Sequence, residues 1–167
     1  LYEYGLNVPL ILRWPGKIKA GRVSSALIAG EDLAPTLLEA CGAQPLKEMT
    51  GRSFLKLLTG AADYSARSYV FAERGAHGSG LPNGSAAFDQ GRAVIGQRYK
   101  RVYNALWQLP YQPVDFANTP LWKELVQLNQ DGQLSPLHAR LLFAPTRPLF
   151  ELFDLENDPH EFTNLIG

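Results

Sequence analysis

A single cysteine, Cys41, is all the thiol chemistry in the 167 residues, so no disulfide can close within the chain. No apolar run approaches the roughly 18 residues that a membrane-spanning helix needs, and no membrane partner is expected. Net charge is absent too, because sixteen basic residues balance sixteen acidic ones and the basic ones are scattered. No field of one sign draws the chain to nucleic acid. Internal repeats and low-complexity blocks are also lacking. Leu1 has neither an initiating methionine nor a signal peptide before it, and the expectation is a piece of a longer protein.

What is present is ordinary for a globular fold, with 46% apolar and 19% charged residues. The run "VPLILRW" at 8–14 stops at Pro15-Gly16. Such a run suits a strand buried on both faces of a parallel sheet, so an α/β class is expected. Without its sheet neighbours it would leave an apolar face, and self-association of the chain is expected there. A second short strand is expected at 26–29. Asp32 is placed to cap a helix with Pro35 in its first turn. Leu33, Leu37, Leu38 and Cys41 give that helix an apolar stripe, and Gly42 a left-handed stop. Another helix is expected at 53–59, ended by Gly60.

From Ala61 the pattern changes. "YVFA" at 69–72 reads as a strand, and the glycine-rich "RGAHGSGLPNGSAAFDQG" after it as a loop. Residues 92–95 and 99–103 read as strands joined by a Gly96-Gln97-Arg98 turn. Thr119-Pro120 and Ser135-Pro136 are helix starts, each with proline at the first helical position. Residues 150–155 form a last strand, and Asp158-Pro159-His160-Glu161 resembles a capping box opening a helix.

Four stretches in order resemble the sulfatase family. "YEYGLNVPLILRWPGKI" resembles the family segment Y-E-G-G-x-R-V-P-x-I-x-R-W-P-G-K-I; "EDLAPTLLEACG" and "GRSFLKLLTG" resemble the blocks after it; "ELFDLENDPHEFTNL" resembles the C-terminal signature. Tyr4 and Asn7 depart from the pattern, standing for glycine and arginine, so that arginine's contact does not carry over. The middle, "YVFAERGAHG" to "LPYQPVDFANTPLWKELVQL", is similar to heparan N-sulfatase (sulfamidase) and its bacterial relatives.

The resemblance implies the C-terminal part of an alkaline phosphatase-like sulfatase fold. Residues 1–60 would end the large α/β domain, and residues 61–167 would form an α+β subdomain with an antiparallel sheet. The parent would hydrolyse sulfate esters or N-sulfates of a glycan such as a heparan-type glycosaminoglycan. Sulfatases use a formylglycine, made from Cys or Ser in C/S-x-P-x-R, beside a calcium ion that offsets sulfate charge. Cys41 is followed by Gly-Ala-Gln-Pro with no arginine after it, and no serine fits either. The nucleophile and the calcium ligands are therefore expected outside this chain, with no cofactor in it. An exported, periplasmic or lysosomal setting is implied by the family alone.

Three residues are candidates for substrate binding. His77, in the glycine-rich loop, can hydrogen-bond a sugar hydroxyl or sulfate oxygen. Arg74 can pair with a substrate anion, and Trp107, near Pro110 and Tyr111, can stack on a sugar ring. Plainer roles suit the same residues: a solvated loop histidine, a structural ion pair, a core tryptophan. His160, His138, Trp14 and Trp122 are read as structural. Two other readings of the whole remain at this point: a phosphodiesterase or phosphonate hydrolase of the same superfamily, and a non-catalytic glycan-binding module. On the sulfatase reading the isolated chain is expected to release no sulfate from aryl sulfates or sulfated disaccharides. Calcium-dependent sulfate release by the purified chain would contradict it.

Overall fold

The computed structural model describes residues 1–76, 88–111, 113 and 117–166. In order, the elements are α1 (Glu3–Leu6), a 3-10 turn (Gly30–Asp32), α2 (Leu33–Ala40), α3 (Leu55–Thr59), β1 (Val70–Ala76), β2 (Phe88–Ile95), β3 (Tyr99–Asn104), α4 (Pro120–Gln130), α5 (Pro136–Phe143) and β4 (Phe150–Asp154). The helices and a four-stranded antiparallel sheet make an α/β chain. Two compact units divide it, one of residues Asn7–Phe71 and Ile95–Gln97, the other of Leu1–Leu6, Ala72–Val94 and Arg98–Gly167.

In the second unit the strands lie in the order β1-β2-β3-β4. β3 and β4 run antiparallel with Lys100 opposite Phe153 and Val102 opposite Glu151. Side chains alternate across a strand, and β3 buries Lys100, Val102 and Asn104 while Tyr99, Arg101 and Tyr103 face outward. Val102, Phe153 and Ala93 supply the apolar part of the inner face. The rest of that face is polar. Asn104 donates to Glu151 (2.8 Å) and to the Pro148 carbonyl (2.9 Å), and the Tyr2 hydroxyl donates to Glu151 (3.1 Å). Burial, and then the adjacent Glu151 carboxylate, push the Tyr2 phenol well above its ordinary range.

Lys100 is wholly buried, its ammonium 2.7 Å from Glu161 and 3.2 Å from Glu3 of α1. Glu161 is itself buried and also accepts from the Glu3 backbone N–H at 2.6 Å. This pair overturns the expected capping-box helix. Glu161 takes φ of 59°, left-handed and unhelical, and its carboxylate turns to Lys100. Asp158 instead accepts from the Thr163 N–H in a turn (2.7 Å). His160 consequently lies outside any helix, its Nδ1 2.6 Å from the Tyr4 hydroxyl and its ring stacked near Phe162.

The proline-led helices form as their start signals require. The Thr119 hydroxyl accepts from the Trp122 N–H and the Ser135 hydroxyl from the His138 N–H, so each end gains a capping bond. Trp122 stacks on Phe143 of α5 with ring centroids 5.1 Å apart. His138 is exposed, beside the Ser135 hydroxyl.

The first unit departs further from expectation. Residues 8–14 form no strand, and Val8, Leu10, Ile11 and Leu12 are exposed. A strand is stabilised by a paired neighbour, and none stands beside this run among the described residues. Residues 26–29 are likewise irregular. Asp32 does not cap α2. Its buried carboxylate accepts from Ala29 N–H (2.9 Å), from Arg52 N–H (2.7 Å) and from the Arg67 guanidinium. Burial pushes this carboxyl upward, but the bonds from Arg67, Arg52 and Ala29 outweigh it and hold it below the usual range. Arg52 can come so near only because Gly51 precedes it. A Cβ there would sit 1.9 Å from the Glu31 carbonyl oxygen. Thr36 relays the same region inward, donating to the Asp32 carbonyl and accepting from the N–H of buried Phe54. Leu37, part of the expected apolar stripe, is exposed.

Replacing Lys100 by methionine should leave Glu161 buried without its cation, at a cost of about 3–5 kcal/mol. Adding Glu161→Gln should recover part of that loss. Urea denaturation followed by circular dichroism measures both, and a single variant as stable as the parent chain would rule the ion pair out as a structural anchor.

Candidate functional site

Arg74 stands on β1 with its side chain largely covered. Its guanidinium lies 3.7 Å from Oδ2 of Asp89 on β2, close enough for an ion pair but too far for a hydrogen bond. Asp89 is bound more tightly from elsewhere. Arg147, just before β4, donates Nη1 to Oδ2 (3.0 Å) and Nη2 to Oδ1 (2.8 Å). This is the bidentate fork that makes arginine the favoured partner of carboxylates.

The same guanidinium secures the loop after β3. Arg147 Nη2 donates to the Leu106 carbonyl (3.0 Å) and Nε to the Leu109 carbonyl (3.2 Å). The Arg147 backbone N–H donates to the Trp107 carbonyl at 2.8 Å. Trp107 therefore has a fixed backbone while 39% of its surface stays open to solvent. Arg74 and Trp107, candidates from separate stretches of sequence, are linked in one network through Asp89 and Arg147. His77 lies outside the described residues.

Two guanidinium groups around one carboxylate leave this cluster with a net positive charge. Burial raises the Asp89 carboxyl, but the Arg147 fork, the charges of Arg147 and Arg74 and the Gln90 N–H outweigh it and hold the carboxyl below the usual range. The site can thus bind an oxyanion and present an aromatic face. It brings together, among the described residues, no nucleophile and base. Among the described residues no group of three or more His, Cys, Asp and Glu side chains stands together to hold a metal ion.

Sequence reasoning missed Asp89 and Arg147. The signal was a carboxylate inside the strand segment "FDQGRAVI" and an arginine just ahead of "PLFELF". Charged residues at the edges of apolar runs are seldom covered unless paired, but nothing local to either run says that they pair with each other.

Comparison with known proteins fits this geometry. A solved structure in complex with its substrate, D-glucosamine-2-N,6-O-disulfate, matches with a TM-score of 0.54 at 20% identity, over 93% of this chain and 23% of that one. The fold is accordingly of the alkaline phosphatase-like sulfatase type. The family model described as N-sulphoglucosamine sulphohydrolase, C-terminal, matches residues 1–143, and the chain belongs to that sulfatase family. An ulvan-active sulfatase of Formosa agariphila is 34% identical over 99% of this chain and 26% of its own length. The N-sulphoglucosamine sulphohydrolase of Homo sapiens is 28% identical over 99% of this chain and 33% of its own. The chain thus spans between a quarter and a third of these relatives' length.

Asp89→Asn should leave two guanidinium groups without their anion, costing about 1.5–3 kcal/mol. The folded carboxyl titrates below its unfolded value, so Asp89 stabilises the fold fully above about pH 4, and this contribution fades as acid protonates it. Thermal melts of parent and variant should therefore differ at pH 6 and converge below pH 4. A gap that stays constant with pH would exclude this ionic role.

Proposed function

We propose that the protein to which this chain belongs is a sulfatase that hydrolyses sulfate esters or N-sulfates on a glycan, and that residues 61–167 help to hold the sugar. The observation that carries the reading is the family match together with a cationic, aromatic-bearing network at Arg74 and Trp107. The substrate bound to the structurally similar protein, a glucosamine carrying two sulfates, supports a sulfated sugar of the glycosaminoglycan kind. The named relatives are sulfatases rather than phosphodiesterases, which disfavours phosphoryl chemistry.

Arg74 offers a guanidinium to a ligand oxyanion, Trp107 an indole face to the sugar ring, and His77 an imidazole that donates one hydrogen bond and accepts another. The formylglycine nucleophile and a calcium ion, general features of sulfatases, belong to residues beyond these. Among the described residues no three His, Cys, Asp and Glu side chains stand together for such an ion. A periplasmic, secreted or lysosomal setting is what membership of the family implies.

In the full-length enzyme, His77→Ala should lower kcat/KM on a sulfated disaccharide by about tenfold, equivalent to about 1.4 kcal/mol of transition-state binding. A small aryl sulfate reaches fewer subdomain contacts and should lose less. Equal losses on both substrates would assign His77 a folding or chemical role, and no loss on either would make it a bystander.

A further inference from the structure

We propose that Arg147 is a positioning residue that keeps Arg74 available for a second oxyanion on the substrate, one distinct from the sulfate being hydrolysed. The proposal rests on reading this chain as the glycan-holding part of a sulfatase, and it concerns a residue that does not itself touch the sugar.

The two arginines are unequally committed. Arg147 holds both oxygens of Asp89 at 3.0 and 2.8 Å and also two loop carbonyls at 3.0 and 3.2 Å. Among the described residues Arg74 makes only the longer 3.7 Å pair to Asp89. An incoming anion can therefore draw Arg74 away at little cost, because the part-buried carboxylate left behind remains neutralised by the Arg147 fork. Without that fork Asp89 would keep, among the described side chains paired to it, only the more distant Arg74 guanidinium. The ligand would then compete with a carboxylate in a poorly hydrated setting and would leave that carboxylate unpaired, which is costly.

Geometry adds a second effect. The bonds to the Leu106, Trp107 and Leu109 carbonyls tie the Trp107 loop to the same guanidinium and its backbone. Arg147 thus holds in one register the cation and the aromatic face that a charged sugar would meet. A lysine carries the charge but not the fork, so it cannot hold both carboxylate oxygens and two carbonyls at once. The ligand chemistry is an oxyanion on a sugar ring, and sulfate and uronate carboxylate both qualify.

The test uses the full-length enzyme and three substrates: glucosamine with one sulfate, glucosamine with two, and a monosulfated disaccharide containing a uronate. Wild-type KM should fall about tenfold when the second oxyanion is present. The doubly sulfated sugar and the uronate disaccharide show which oxyanion the site takes. Arg147→Lys should raise KM about tenfold on the preferred substrate, with kcat nearly kept and a smaller rise on the singly sulfated sugar. Combined with Arg74→Gln it should add little beyond Arg74→Gln alone, since both act through one group.

An equal KM rise on all three substrates, or a fall in kcat with KM unmoved, would make Arg147 a residue of the fold only. A normal KM in Arg147→Lys beside a raised KM in Arg74→Gln would overturn the positioning role alone. An unmoved KM in Arg74→Gln would overturn Arg74 as the sugar's partner. Indifference of the wild-type enzyme to the second oxyanion overturns the proposal even where Arg147→Lys fails to fold. No sulfate release from any substrate would instead overturn the functional reading itself.

Discussion

The second unit depends on a buried ammonium. Lys100 points to the inner face of the sheet, where the alternation of β3 would ordinarily place an apolar side chain. An isolated charge there would cost several kcal/mol, so the surroundings are arranged to meet it. Glu3 brings α1 to the sheet, and Glu161 brings the segment after β4 to the same point. Glu161 adopts a left-handed backbone to do so, a conformation that L-residues other than glycine, asparagine and aspartate seldom take. Local conformational strain and the loss of a helix start are both consequences of one ion pair.

A similar economy operates at the candidate site, with the charges the other way round. There one carboxylate serves two cations, and their geometries differ. The fork from Arg147 satisfies Asp89, whereas Arg74 stands farther off. Lys100 is held from two sides, whereas among the described residues Arg74 has only the longer pair to Asp89. Distance and hydrogen-bond geometry separate these two cations where residue type alone does not.

Much of the fold was legible because its signals are local. Thr119-Pro120 and Ser135-Pro136 announce helices that form with the expected caps, and the hairpin of β2 and β3 follows from apolar runs flanking Gly96. Non-local partners defeated the rest. Asp32 has the chemistry of a cap, but Arg67, 35 residues away, claims its carboxylate. Residues 8–14 have the composition of a buried strand but, among the described residues, no strand beside them. Arg74 was read as the start of a loop, whereas it stands on β1, and the family resemblance was legible from ordered motifs. Asp89 and Arg147 were not, since their pairing spans 58 residues.

The placement of Lys100 also sets a temporal order for folding. Its partners come from opposite ends of the chain, and the Glu3–Glu161 contact spans 158 residues. Contacts so distant in sequence close loops whose entropy is lost before any stabilisation returns, and they tend to form late. On a ribosome, β3 would emerge well before Glu161, with its lysine still exposed to water. The helices of the Thr119 and Ser135 starts can form in that interval from local signals alone. The sheet's inner face would then seal in one step as the segment around Glu161 arrives, making that segment the latch of the unit.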